Sequence, residues 1–390
     1  MERSLSSRVG VLTGEGALSV FARARELEAA GRDIVHLELG EPDFHPSRAV
    51  LEAAKAAIDA GRDRYTSPSG LPQLKTAIAE YLQRTRVVST TSESIFVGPG
   101  CKMILSLVAM ALIEPGDAVL YPDPGFPIYR SIIRMLGGIP TPYDLKQSNG
   151  FQPDTVEIAA KITPQTKLLI LNSPANPTGT VLSQQVQQSL ASIAGRHNLW
   201  VISDEIYAQI IYDQNYTSIF TLPGMQERTV IVDGFSKSFA MSGWRLGYAV
   251  VPETLLEALS LLIVNTYTCA SEFIQYAGVE AMTDSDKMVS KMMGEFYERR
   301  ELFVAALNDI PGFRCSLPDG AFYAWVNIEE TGMTATDLSH ILLEEAGVAG
   351  ISGQAFGDNG RNFLRFSFAS STERLREAVV RIRKSSPMWR

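Results

Sequence analysis

Three polar residues, an acid, an amine and an amide, follow short apolar runs in this chain within about five residues. Asn176 follows 167–171, Asp204 follows 200–203 and Lys237 follows 229–232. Their separations approximate one strand–helix–strand unit of about 30 residues. If the runs are parallel strands, their carboxyl ends open into one crevice that could hold all three. A lysine amine can condense with an aldehyde and, when neutral, can carry a proton. On spacing alone, however, a salt bridge capped by an amide is the better account of the trio. Two other places carry chemistry. Arg365 sits between aromatic neighbours in Phe363-Leu364-Arg365-Phe366-Ser367, where burial is costly without an anion. Gly98-Pro99-Gly100-Cys101-Lys102 lies between a strand and an apolar helix over 103–113. A helix N-terminus in that position favours an anion such as phosphate, with Gly100, Cys101 and Lys102 as backbone donors.

These side chains need a scaffold, and the hydrophobic pattern predicts one. Residues 49–83 read as helix, loop and helix, broken at Tyr65-Thr66-Ser67-Pro68-Ser69-Gly70. Beyond them, runs at 94–97, 119–121, 167–171, 200–203 and 229–232 alternate with helical segments. Their hydrophobicity is continuous rather than alternating, which predicts strands buried on both faces. Strands alternating with helices give an α/β unit around a largely parallel sheet. Near Thr283-Asp284-Ser285-Asp286 the pattern changes to a long charged helix over 287–307, then strands around 322–326 and 363–368. A smaller α+β unit is expected there. No internal repeat or low-complexity linker separates the two.

The segment Phe235-Ser236-Lys237-Ser238-Phe239-Ala240-Met241-Ser242-Gly243-Trp244-Arg245-Leu246-Gly247 resembles the lysine motif of fold-type I aminotransferases. The resemblance extends over nearly the whole chain, to the class I and II aminotransferase family and especially its aspartate-aminotransferase-like branch. It is carried, in order, by Leu39-Gly40-Glu41-Pro42-Asp43-Phe44, Tyr65 with Gly70, Pro115-Gly116-Asp117 and Asn176-Pro177-Thr178-Gly179. Ser203-Asp204-Glu205-Ile206-Tyr207, the lysine motif, Gly320-Ala321-Phe322-Tyr323 and Arg365 complete the set. The fold implied is an α/β, fold-type I pyridoxal-phosphate-dependent transferase: a large domain with a mostly parallel seven-stranded sheet, plus a smaller α+β domain. The division expected is an N-terminal arm at 1–45, a cofactor domain at 46–285 and a small domain at 286–390.

The resemblance also implies roles. Lys237 would hold pyridoxal 5'-phosphate and move the α-proton, and Asp204 would keep the pyridine nitrogen protonated so that the ring withdraws electrons. Asn176 and Tyr207 resemble the pair that donates to the cofactor's phenolic oxygen, and Phe126 aligns with the residue that stacks on its ring. Arg245 and Ser236 would join the backbone of Gly100, Cys101 and Lys102 at the phosphate. Arg365 would grip the substrate α-carboxylate with Gly40 and Asn176 nearby. Tyr65 resembles the residue that reaches a neighbouring subunit's phosphate, which implies a homodimer. Two departures stand out: Gly125-Phe126, where many relatives carry a pair such as Tyr-Trp, and Gly234, where several relatives have a phosphate-binding serine.

The activity implied is transfer of an amino group from an L-amino acid to a 2-oxo acid by a ping-pong mechanism. A lyase, racemase or synthase on the same scaffold begins from the same carbanion, and these motifs do not separate them. A pyridoxal-phosphate-sensing regulator is less favoured, since such proteins append a DNA-binding domain. A nicotinamide enzyme is a more distant alternative, and its glycine fingerprint fails at the third position, which is Met103. His36, His45, His197 and His340 form no helical ligand pair, so no metal is expected. A net charge of −8 without a basic patch disfavours nucleic acid. No apolar stretch resembles a secretory signal or a membrane span. Cys101, Cys269 and Cys315 are odd in number and widely spaced, which fits a reducing, cytoplasmic setting.

Overall fold

The continuous apolar runs become the centre of a seven-stranded sheet covered on both sides. The computed structural model describes residues 5–12 and 14–389. Its strands are β1 (Val35–His36), β2 (Ile95–Gly98), β3 (Ala118–Asp123), β4 (Ile139–Asp144), β5 (Thr166–Asn172), β6 (Trp200–Asp204) and β7 (Thr229–Gly234). They continue with β8 (Gly247–Val250), β9 (Arg314–Cys315), β10 (Tyr323–Asn327), β11 (Val348–Ala349), β12 (Ile351–Ser352) and β13 (Phe363–Ser367). The large sheet has the order β2-β8-β7-β6-β5-β3-β4. All its pairings are parallel except the two made by β8. Successive residues of a strand point to opposite faces, and both faces are covered. Leu168, Ile170, Ile202, Val230 and Val232 pack against the Cys101–Leu112 helix. Leu169, Leu171 and Val201 join the opposite core, while Ile231 packs with Leu74, Ile78 and Ala277 of a third.

Two strands of this sheet are absent from the strand runs read in the sequence. β4 contains Pro140 and Pro142, which weaken a strand signal and are tolerated because β4 is an edge strand. β8 is a four-residue continuation of the lysine motif, too short to register as a separate run.

The C-terminal part builds a four-stranded antiparallel sheet, β12-β13-β10-β9. It packs on the Ser285–Asn308 helix, whose buried Met292, Phe296, Phe303 and Leu307 recur at helical spacing. β1 pairs in parallel with β11, so the start of the chain closes on its end. Among the described residues no helix is long and apolar enough to cross a membrane.

Candidate active site

Asn172 and Asp204 end neighbouring parallel strands and are partners in register, which fixes their side chains beside one another at the sheet's carboxyl edge. Asn172 organises the edge: its Nδ2 donates to the Asp204 carbonyl at 3.0 Å and its Oδ1 accepts the Asn176 N–H at 2.8 Å. The Asp204 carboxylate is buried. It accepts from Tyr129 Oη at 2.7 Å and from the Ile206 N–H at 3.3 Å. Among the described residues no basic side chain comes within salt-bridge distance of it. Burial pushes its pKa up to about 6, against which the Tyr129 hydroxyl works.

Lys237 lies on the loop from β7 to β8, and its Nζ donates to the Gly40 carbonyl. Desolvation brings its pKa down to about 8. A neutral amine is therefore accessible near neutrality, as a nucleophile or proton acceptor requires. Covalent labelling of Nζ by a small aldehyde with borohydride trapping should quicken about tenfold per pH unit below pH 8 and level off above it. A profile still climbing to pH 10 would mean the amine is solvated.

Arg365, on β13, is 3% exposed. Its guanidinium donates to Asn176 Oδ1 at 2.9 Å and to the Glu38 carbonyl at 2.5 Å, and it lies 4.3 Å from the Tyr323 ring centroid and 4.9 Å from that of Phe356. All these partners are uncharged, so the arginine is a buried cation without an ionic partner among the described residues. Gly40 must be glycine here: a Cβ would lie 2.0 Å from the Tyr323 hydroxyl. That hydroxyl is 2.6 Å from Tyr207 Oη.

At another side of the site, the Cys101–Leu112 helix begins after Gly100, whose φ of 87° few other residues adopt. Gly100 turns its own N–H back to the Gly98 carbonyl at 2.7 Å, so it is not an open donor. The N–H groups of Cys101 and Lys102 have no acceptor among the described residues and remain open. A Cβ on Gly100 would lie 2.3 Å from an Arg245 guanidinium nitrogen, which places that cation directly at the helix start. The glycine at 234 also has a reason: a Cβ there would lie 2.7 Å from Cys101 Sγ, so the thiol takes up the space a larger residue would need.

These parts surround one cavity of about 530 Å³. Of the residues singled out in the sequence, Gly40, Cys101, Lys102, Phe126, Asn176, Asp204, Tyr207, Ser236, Lys237, Arg245 and Arg365 line it, whereas Gly100 stands behind and Tyr65 lies outside. Tyr65 is 87% exposed, on a turn held by the buried Gln275, which contacts Leu71 N–H at 2.7 Å and Thr66 Oγ1 at 3.1 Å. The sequence reading missed Tyr129, Asn172 and Glu15 as members of the site. Tyr129 gave no separate signal: it lies at the start of the Ile128–Met135 helix just beyond Phe126, with its ring edge-on to that of Phe126. Glu15 gave no signal, because it comes from a distant segment. The cavity suits a group with a cation facing Asp204 and an anion facing the Cys101–Lys102 amides and Arg245, with Lys237 between and room for a carboxylate at Arg365.

Comparison with known proteins gives a concordant result. The sequence profile described as "Aminotransferase class I and II" matches residues 32–382. The chain is similar to the putative aminotransferase YugH of Bacillus subtilis (strain 168), at 37% identity over 98% of both chains. It is 36% identical to an aspartate aminotransferase of Pyrococcus horikoshii, covering 98% of this chain and 97% of that one. In structure it resembles an aspartate aminotransferase from Thermus thermophilus with maleate, with a TM-score of 0.94 and 34% identity over 98% of this chain and 100% of the other.

Proposed function

The chain belongs to the class I and II aminotransferase family and is a transaminase, and we propose that it works with pyridoxal phosphate on L-amino acids and 2-oxo acids in alternation. The observation that carries this reading is three ionisable groups, the buried Asp204 and Arg365 and the half-buried Lys237, facing one cavity without ionic partners among the described residues. Structural charges inside a protein are normally neutralised; three left open point to a ligand that completes them.

In this reading Asp204, oriented by Tyr129, holds the cofactor's ring nitrogen. Cys101 and Lys102 amides, the Ser236 hydroxyl and the Arg245 guanidinium hold its phosphate, with Gly100 shaping the turn. Phe126 packs on the ring, and Asn176 with Tyr207 face its phenolic oxygen. When bound, the cofactor supplies an aldehyde that takes up the amino group and a cationic ring that withdraws electrons from the α-carbon. Arg365 grips the α-carboxylate and so orients the α-carbon, with Gly40 and Asn176 beside it. Lys237 Nζ, in its neutral form, would take the α-proton and hold it for return to the bound group.

Residues 46–285 form the cofactor unit in this proposal and 286–390 the smaller one, with 1–45 as an arm; the pairing of β1 with β11 supports assigning the arm to the smaller unit. We also infer a homodimer in which Tyr65 reaches the neighbouring site. The exposure of Tyr65, and of Met103, Met110, Leu261 and Val264 on two mutually packed helices, fits a covered face. Free cysteines at 101, 269 and 315 fit a cytoplasmic setting.

The test is spectroscopic. Protein purified with pyridoxal phosphate should show a visible absorption band that an amino acid, without acceptor, converts to the near-ultraviolet band of the aminated cofactor, releasing the matching 2-oxo acid. A band that stays while ammonia and pyruvate accumulate would mean elimination instead. Absence of any band would remove the cofactor assignment.

A further inference from the structure

Two charged residues of the cavity have no part in the chemistry described above. Lys102, beyond lending its N–H, places its side-chain Nζ 2.7 Å from Glu15 Oε2, with Nζ 5.6 Å from the Phe126 ring centroid. Both side chains line the cavity and are partly exposed, so the pair stands where solvent and substrate enter.

Glu15 is held in that position. It immediately precedes the Gly16–Ala29 helix. Gly16 lies so tightly on the loop carrying Phe356 that a Cβ would come 2.9 Å from Ala355 Cβ. Phe356 in turn covers the Arg365 guanidinium. Glu15 is therefore fixed beside Lys102 in the same cavity that Arg365 lines.

A charge inventory of the cavity gives the consequence. Lys237, Arg245 and Arg365 are committed to the reaction, the phosphate and the α-carboxylate. Lys102 is the remaining cation, and it already has a carboxylate. The other acidic group at the entrance, Glu41, accepts from Ser242. The apolar lining includes Ala17, Leu18, Leu39, Leu105 and Phe126. An acidic substrate side chain would have to displace Glu15 from Lys102 and then lie beside the displaced charge. A neutral apolar one meets only apolar walls and a balanced pair.

We propose that Glu15 is a specificity-determining residue that keeps Lys102 neutralised, so that the enzyme prefers amino acids with uncharged, apolar side chains, aromatic or aliphatic, over dicarboxylic ones. This rests on the transaminase reading above and on Arg365 as the α-carboxylate site.

The decisive experiment compares the holoenzyme with its Glu15→Gln variant. Glu15 makes no capping hydrogen bond to its helix, so the substitution leaves the fold intact. Steady-state kcat/KM is measured for phenylalanine, leucine, aspartate, glutamate and lysine. The wild type should favour phenylalanine or leucine, and Glu15→Gln should raise kcat/KM for aspartate and glutamate by about tenfold or more with little change for leucine. Highest activity with aspartate or lysine in the wild type, or an unchanged aspartate-to-leucine ratio in the variant, would overturn the proposal.

Calorimetric binding of non-reacting ligands keeps the two readings distinguishable. 3-Phenylpropanoate should bind the wild type more tightly than succinate, and Glu15→Gln should shift that ratio about tenfold toward succinate. If no donor is turned over but this shift occurs, the transaminase reading fails while the selector stands. If donors are turned over and the shift is missing, the selector fails alone.

Discussion

Lys237→Ala should abolish the visible band of the bound cofactor and lower turnover by about 10⁴-fold or more, because on the function proposed above one substitution removes both the attachment point and the proton carrier. General-base catalysis alone contributes roughly 10²–10⁴. The protein should remain folded, since the wild-type Nζ sits in a buried position that depresses its pKa and its removal relieves that cost. Small primary amines added to the variant should restore part of the rate, more effectively as their basicity rises, as Brønsted behaviour requires. Stopped-flow absorbance after mixing with an amino acid tests both points. A variant retaining more than about one hundredth of the activity would place the base elsewhere.

Arg365→Met should raise KM for amino acid and 2-oxo acid alike by about 10²–10³, the loss expected for a desolvated, bidentate charge pair worth roughly 3–4 kcal/mol. The cofactor's visible band should be unchanged, because Arg365 is assigned to the substrate and not to the cofactor. Arg365→Lys should recover only part of the loss: an ammonium restores the charge but not two parallel hydrogen bonds from one plane. Initial rates over a wide concentration range separate the alternatives. A fall in kcat with KM unchanged would mean that the arginine acts on the reaction and not on carboxylate binding.

What the sequence disclosed follows a physical pattern. Lys237 and Arg365 stood out as charges among apolar and aromatic neighbours, where burial demands a reason, and Asp204 as the residue ending an apolar strand run; their roles came from the resemblance of the motifs around them. The central strands were legible because burial on both faces writes continuous hydrophobic runs. β4 was not, since an edge strand with two prolines looks like a loop. Tyr129 was hidden because a tyrosine on an amphipathic helix reads as core; only the arrival of β6 beneath it turns its hydroxyl into Asp204's partner. Gly100 was read as an amide donor, and the structure shows instead a turn whose missing side chain makes room for Arg245. Glu15 was the least accessible, because its meaning depends on a contact with Lys102 across 87 residues of sequence. Local pattern carries no information about such a meeting.

The pairing of Val35–His36 with Val348–Ala349 has a consequence for biosynthesis. A ribosome releases the first of these strands more than three hundred residues before its partner exists. The large sheet, complete by Val250, can fold during that interval, as N-terminal units generally do. The segment bearing Glu15, Glu38 and Gly40 cannot settle until the last part of the chain emerges, and Arg365 itself arrives only then. A nascent chain therefore passes through a stage in which the sheet-borne residues of the proposed cofactor site are in place while Arg365 is not.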